Sequence, residues 1–136
     1  MKIRSRRDVL VFISGPLTPR SEQKNHAVEY LGHVRLMAEV GARLLWYGFS
    51  VYCPAVDFTF FLVGMGRYLE PMAVYENDLR ILKSCQAVYA LPNITDSSAV
   101  DKELDIARRR KIPIFMEDTA ILNHFDKIIR TNRRAK

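Results

Sequence analysis

The stretch "LPNITDSSAVDKELDIARRRKIPIF", residues 91–115, decides the fold: it reads as the end of a buried strand, a polar loop, a helix and a second buried strand. At about 100° per residue, Ile106, Ala99, Ala107, Val100 and Leu104 share one arc of roughly 160° on that helix. Asp101, Lys102, Asp105, Arg108 and Arg109 take the other side. Glu103 falls near the middle of the apolar arc, so the chain turns a carboxylate toward its own core.

The same alternation extends in both directions. Upstream, "DVLVFI" (8–13) is a short apolar, β-rich run that ends in the turn residues of "SGPLTPR". A long helical segment follows from about Glu22 to Tyr47, with Ala27, Tyr30, Leu31, Val34, Met37, Ala38, Gly41 and Leu45 on one face and Gly48 placed to end it. The second strand is "SVYCP" (50–54). The next segment, "AVDFTFFLVGMGRYLEP", has no clean period and reads as a loop or short helical lid. A helix is expected from Pro71 to about Ser84, strand three at "AVYAL" (87–91) and strand four at "IPIFM" (112–116). A last helix starting at Asp118 or Thr119 buries Ile121, Leu122, Phe125, Ile128 and Ile129, and "RTNRRAK" is expected to fray.

Short apolar strands alternating with helices predict an α/β fold: a single-domain, three-layer, doubly wound (Rossmann-like or flavodoxin-like) parallel sheet of strand order 2-1-3-4. That order puts a switch point between strands one and three, where open sheets bind ligands at the strands' carboxyl ends. The loops leaving those strands are "SGPL" and "PNITDSS". The domain is expected over 8–130, after a basic lead-in (1–7) and before a basic tail (131–136).

Composition narrows the class. The 136 residues are 49% hydrophobic and 26% charged, as in a soluble globular domain, and no run approaches the roughly 18 apolar residues of a membrane span. "MKIRSRRDVLVFI" is basic and then apolar, but about six apolar residues are too few for a secretory core, so it reads as the lead-in to a strand. Cys53 and Cys85 lack metal-ligand spacing and read as buried thiols of a cytoplasmic protein. The net charge of +6 gathers at Lys2–Arg7, Arg108–Lys111 and Arg130–Lys136, without the interleaved aromatics of a nucleic-acid platform. No nucleic-acid partner is expected, whereas a small anionic substrate suits the field.

Glu103 has a counterpart. On the helix from Pro71, Met72, Val74, Tyr75, Leu79, Ile81, Leu82 and Cys85 fill one half of the wheel, and Asp78 lies well inside it. Burying a carboxylate without a partner costs several kcal/mol. Two such acids flanking strand three suit chemistry through an oxocarbenium-like transition state, one acting as nucleophile and one handling protons or sugar hydroxyls. The structural reading, in which each acid meets a basic partner or points outward, stays open at this point.

These residues resemble a known family. "VFISGPLT", Asn25, "GFSVYCP", "NDLRILKSCQAVYALP" and "SSAVDKELDIARRRKIPIF" are similar to the nucleoside 2-deoxyribosyltransferase-like superfamily, closest to its small bacterial and phage branch and to the 2′-deoxynucleoside 5′-phosphate N-hydrolases. The similarity spans about residues 9–116. It lies in the order of parts: an Asp before strand three, a Ser-x-Gly-Ala-x-x-Glu pattern and a Gly/Lys-Ile-Pro strand. The resemblance implies that Glu103 is the nucleophile attacking the anomeric carbon and that Asp78 positions sugar or base. It implies a pocket lined by Ser14, Gly15 and Pro16, with Asn25 among the matching positions. It also implies that Ser97, with Ser98 at a helix N-terminus, receives a 5′-phosphate. Capping explains the same two serines without a ligand. Asp57 either contacts substrate or starts a turn.

The sequence departs from the pattern at Ala99 and Val100, which stand where Gly and Ala are usual. A left-handed backbone at 99 would make the added methyl costly. Phe12 stands near a tyrosine of some relatives, leaving Tyr52, Tyr68 or Tyr75 to replace it, and the lid around Gly64–Arg67 has no counterpart. The resemblance implies hydrolysis of the N-glycosidic bond of a (deoxy)nucleoside 5′-monophosphate, with no metal or organic cofactor. The alternatives are base exchange by a deoxyribosyltransferase and a non-catalytic nucleotide-binding domain. Relatives place sites at dimer contacts, so a homodimer or higher oligomer is expected, with Leu36 and Val40 of the first long helix as exposed apolar residues.

Overall fold

A computed structural model describes residues 2–15, 26–57, 60, 71–91 and 98–135. Its four strands are β1 (Leu10–Ser14), β2 (Ser50–Tyr52), β3 (Ala87–Ala90) and β4 (Ile114–Phe115). They form one sheet of order β2-β1-β3-β4 in which every pairing is parallel, as the alternating pattern predicts. The register sets Val11 against Val51 on one side and Ala87 on the other, and Val88 against Ile114. The helices are α1 (His26–Trp46), α2 (Pro71–Leu82), α3 (Ser98–Arg109) and α4 (Asp118–Arg134). Single 3-10 turns occupy Arg6–Asp8 and Pro54–Asp57.

Side chains alternate across the strands and so build two cores. On one face Val9, Val11, Ile13 and Tyr89 pack with Met37, Val40 and Leu44 of α1 and Ile121 and Phe125 of α4. On the other, Phe12 and Val88 pack with Leu82, Cys85 and Ala107, supported by Tyr52, Leu79 and Leu104. Ser14 ends β1 on this second face, where α2 and α3 lie.

α1 stops as its sequence predicts. Gly48 takes φ +97, and Phe49 N–H reaches back to the Leu44 carbonyl at 3.1 Å, closing a left-handed cap. The buried face of α1 is a correction. Val40, expected outside, is buried, whereas Leu31, Ala38 and Leu45, expected inside, are exposed. The helix is apolar around more than half its circumference, so periodicity offers two faces and the sheet selects the one centred on Met37. Leu36 is exposed, as expected.

The tail is a second correction. α4 continues to Arg134 instead of fraying from Arg130. Asn132 Nδ2 donates to the Ile3 carbonyl at 2.7 Å, Arg133 Nε donates to the Arg4 carbonyl, and the Arg6 guanidinium grips Asp126 at 2.8 Å. These bonds tie the two basic segments together. Among the described residues no helix is long and apolar enough to cross a membrane.

Candidate active site

At the carboxyl ends of β1 and β2 the second core gives way to acids. Ser14, fully buried as the last residue of β1, donates its hydroxyl to Glu103 Oε2 at 2.5 Å. Glu103 is only 6% exposed, because α3 lies on the sheet through Val100, Leu104 and Ala107 and carries the intervening carboxylate inward with them. Burial pushes the Glu103 carboxyl up to about 7, with the Ser14 hydroxyl pulling in the opposite direction.

Beside it stands a second acidic group. Tyr52, the last residue of β2, donates to Asp78 Oδ1 at 2.8 Å and lies 3.4 Å from Asp57 Oδ1. The Tyr52 ring is held against Phe12, with centroids 5.8 Å apart, so the hydroxyl is delivered from a packed base. Asp57 and Asp78 are 2% and 5% exposed. Burial pushes Asp78 up to about 8; a hydrogen bond shared with Asp57 and the charges of Asp57 and Glu103 add to it, and the Tyr52 hydroxyl opposes it. Asp78 therefore keeps its proton to higher pH, since ionising it beside a second buried acid would place like charges side by side. Tyr52 is raised as well, by burial and then by its bond to Asp78.

Two further tyrosines border the acids. Tyr75, one turn before Asp78 on α2, has its hydroxyl raised by burial and by the charges of Glu103 and Asp78. Lys102 lies 5.9 Å from the centre of the Tyr75 ring. The Tyr30 hydroxyl of α1 is buried with no hydrogen-bond partner among the described residues and feels the charge of Asp57. Among the described residues no group of His, Cys, Asp or Glu is arranged to hold a metal ion.

The structure therefore brings together four of the residues expected from the sequence, Ser14, Asp57, Asp78 and Glu103. Gly15 adjoins them, fitted so closely that a Cβ there would lie 3.1 Å from Met37 Cγ and 3.3 Å from Leu91 Cδ1. Ser98 opens α3. Pro16, Asn25, Ser97 and the Gly64–Arg67 lid lie outside the described residues. Ala99 sits within α3 in helical backbone, so a glycine is not required there for a left-handed turn. Val100 fills core space at 2% exposure. Of the three tyrosines considered, Tyr68 lies outside the described residues and Tyr52 is the one bonded to Asp78; strand alternation is the signal for it, since Tyr52 shares the face of Phe12 and Ser14. Tyr30 was expected only as a core residue.

No family model matches the sequence, and neither does any curated protein. Among solved structures the chain matches a 2-deoxyribosyltransferase from the psychrotolerant bacterium Bacillus psychrosaccharolyticus, described as a biocatalyst for synthesis of antiviral and antitumoral nucleosides. The TM-score is 0.54 over 77% of this chain and 69% of that one, at 20% identity. The two proteins share a fold.

Proposed function

We propose that the protein cleaves the N-glycosidic bond of a (deoxy)nucleoside 5′-monophosphate through a glycosyl ester on Glu103. The observation that carries this reading is the buried Glu103 carboxylate, fixed by Ser14 and set beside the Asp57–Tyr52–Asp78 group at the switch point of the sheet. Glu103 attacks the anomeric carbon as the bond to the base nitrogen breaks, and that electron pair leaves with the base. The proton held by Asp78 neutralises the departing nitrogen. Water, giving its proton back to Asp78, then adds to the anomeric carbon and frees the Glu103 carboxylate. The ordinary carboxylate range would leave no proton for the base near neutrality, so the rise of Asp78 to about 8 suits it to this step.

We assign the 5′-phosphate to Ser97 and Ser98, the second of which opens α3, because a helix N-terminus favours an anion. A second base in place of water would make the protein a transferase, the activity named for the solved relative. We place the reaction in the cytoplasm and the protein in a homodimer or higher oligomer. On α1, Val28, Leu31, Ala38, Ala42, Leu45 and Trp46 share one outward arc of roughly 100°, exposed and apolar apart from Arg35, which falls within it. Leu31→Glu should lower the mass seen by light scattering, and a wild-type monomer at assay concentration would sink the oligomer.

The test is base release from ribo- and deoxynucleosides and their 5′-monophosphates, followed by chromatography. Free base from monophosphates alone supports the hydrolase. Base formed only when a second base is supplied makes it a transferase. Nucleotide binding with no turnover overturns catalysis.

A further inference from the structure

The opposite rim of the sheet holds a group of charges that the acidic cleft does not use. A cavity of about 690 Å³ is lined by Ser5, Arg6, Arg7, Gly48, Asp126, Ile129, Arg130 and Arg133. Its walls come from the residues just before β1, the residue that closes α1 ahead of β2, and the last two turns of α4. It therefore lies at the amino ends of the strands, while Ser14 and Tyr52 mark the carboxyl ends.

Four arginines and one aspartate leave this wall three charges positive. Asp126 is already committed. It accepts Arg6 Nε and Nη2 at 2.9 and 2.8 Å, while Arg6 Nη1 donates to the Tyr47 carbonyl, so the whole Arg6 fork is occupied. Among the described residues Arg7, Arg130 and Arg133 make no salt bridge. Arg130 and Arg133 each use Nε on a backbone carbonyl, and both line the cavity. The negative end of the α4 dipole accounts for basic residues in the last turn of that helix. It does not account for Arg6 and Arg7, which arrive from the other end of the chain and are fastened beside them.

We propose that this cavity is an anion site for a small ligand bearing two or three linked phosphates. Guanidinium forks bind phosphate oxygens in bidentate fashion, and several forks around one concavity suit adjacent phosphates better than one. Among the described residues no aromatic side chain lines the wall and Ile129 is its only sizeable apolar one, so neither a stacked base nor a single-stranded nucleic acid is what the surface is shaped to hold. Bringing unpaired guanidiniums together is electrostatically unfavourable, and a polyphosphate relieves that repulsion by bridging them.

Calorimetric titration of the full chain with inorganic pyrophosphate and tripolyphosphate, against sulfate at matched ionic strength, tests the assignment. Saturable binding is expected, tighter for tripolyphosphate and weakening with added salt. The double variant Arg7→Glu/Arg130→Glu should weaken it at least about tenfold. Arg35→Glu, an exposed reversal on α1, should change it less than about twofold. Base release should be unaffected by the double variant, so failure here and failure of the glycosidic reading remain separate results. Equal binding of sulfate, equal loss in the Arg35 control, or no saturable binding of either polyphosphate overturns the site. Tight binding of a single-stranded oligonucleotide without binding of the polyphosphates also overturns it, in favour of a nucleic-acid surface.

Discussion

Asp118 and Asp78 are both carboxylates that accept a tyrosine hydroxyl from the sheet, one on each face, and they end in opposite states. Asp118, at the first position of α4, accepts Tyr89 at 2.6 Å and Tyr47 at 2.9 Å and pairs with Arg43 at 2.9 Å. The Arg43 bond, with the two hydroxyls behind it, pulls its carboxyl down to about 2. Asp78 has one tyrosine and a second acid and, among the described residues, no arginine, and burial drives it up to about 8. The tyrosine is common to both, so it is not what decides. A cation at a partly wet rim closes the first face and makes Asp118 structural. Acids packed against acids in a dry cleft leave the second face with a transferable proton.

The comparison breaks most sharply at Glu103. Glu103→Gln keeps the shape and the Ser14 contact but removes the nucleophile. Activity should fall at least about a thousandfold, while thermal stability at neutral pH holds or rises, since a buried carboxyl that must ionise is replaced by a neutral amide. A comparable substitution at Asp118 should leave turnover intact. Glu103 must be ionised and Asp78 protonated, so activity should peak between limbs near 7 and 8 set by the raised carboxyls. A flat profile across that window would remove the acids from the mechanism.

Asp78→Asn comes next. Loss of the proton donor should cost about 10²- to 10⁴-fold in rate and erase the alkaline limb. Its stability effect has a definite sign. The folded carboxyl is raised from 3.8 to about 8, so its contribution is present at low pH and is lost as pH rises through about 8. The variant should gain thermal stability relative to wild type on moving from pH 5 to pH 9. Asp118 runs the other way. Its folded carboxyl is lowered from 3.8 to about 2, so its contribution is present above 3.8 and is lost as pH falls through about 2. Asp118→Asn should cost about 1 kcal/mol at neutral pH, a figure kept small by the exposure of Arg43, and should match wild type in strong acid. Thermal melts of the two variants across pH separate the faces directly.

Much of this was legible in the sequence because it is carried by periodicity. The parallel sheet, its order and the inward turn of Asp78 and Glu103 all follow from which residues share a face. Partnership was not legible. Nothing in the spacing says that Tyr52 reaches Asp78 across 26 residues or that Arg6 grips Asp126 across 120. The two helix errors have the same origin. α1 is apolar over too wide an arc to declare its buried side, so periodicity puts Val40 at the surface and Leu31 in the core, the reverse of their places in the structure. The last turns of α4 look frayed in isolation because their order depends on carbonyls of Ile3 and Arg4 at the far end of the chain.

The smallest predicted effect tests whether the tyrosine is only a bystander in the comparison. Tyr52→Phe retains the ring against Phe12 and deletes one hydroxyl, a loss of about 1 kcal/mol of stability at most. That hydroxyl donates to Asp78 and favours its ionised form, so its removal should raise the Asp78 carboxyl further and move the alkaline limb upward. The acid limb, set by Glu103 and Ser14, should stay in place. A downward shift of the alkaline limb would mean that the proton resides on a group Tyr52 does not touch. A shift of both limbs would mean that the Glu103–Ser14 pair and the Asp57–Tyr52–Asp78 group titrate as one cluster, and the division of labour between nucleophile and proton donor would then have to be assigned to the cluster as a whole.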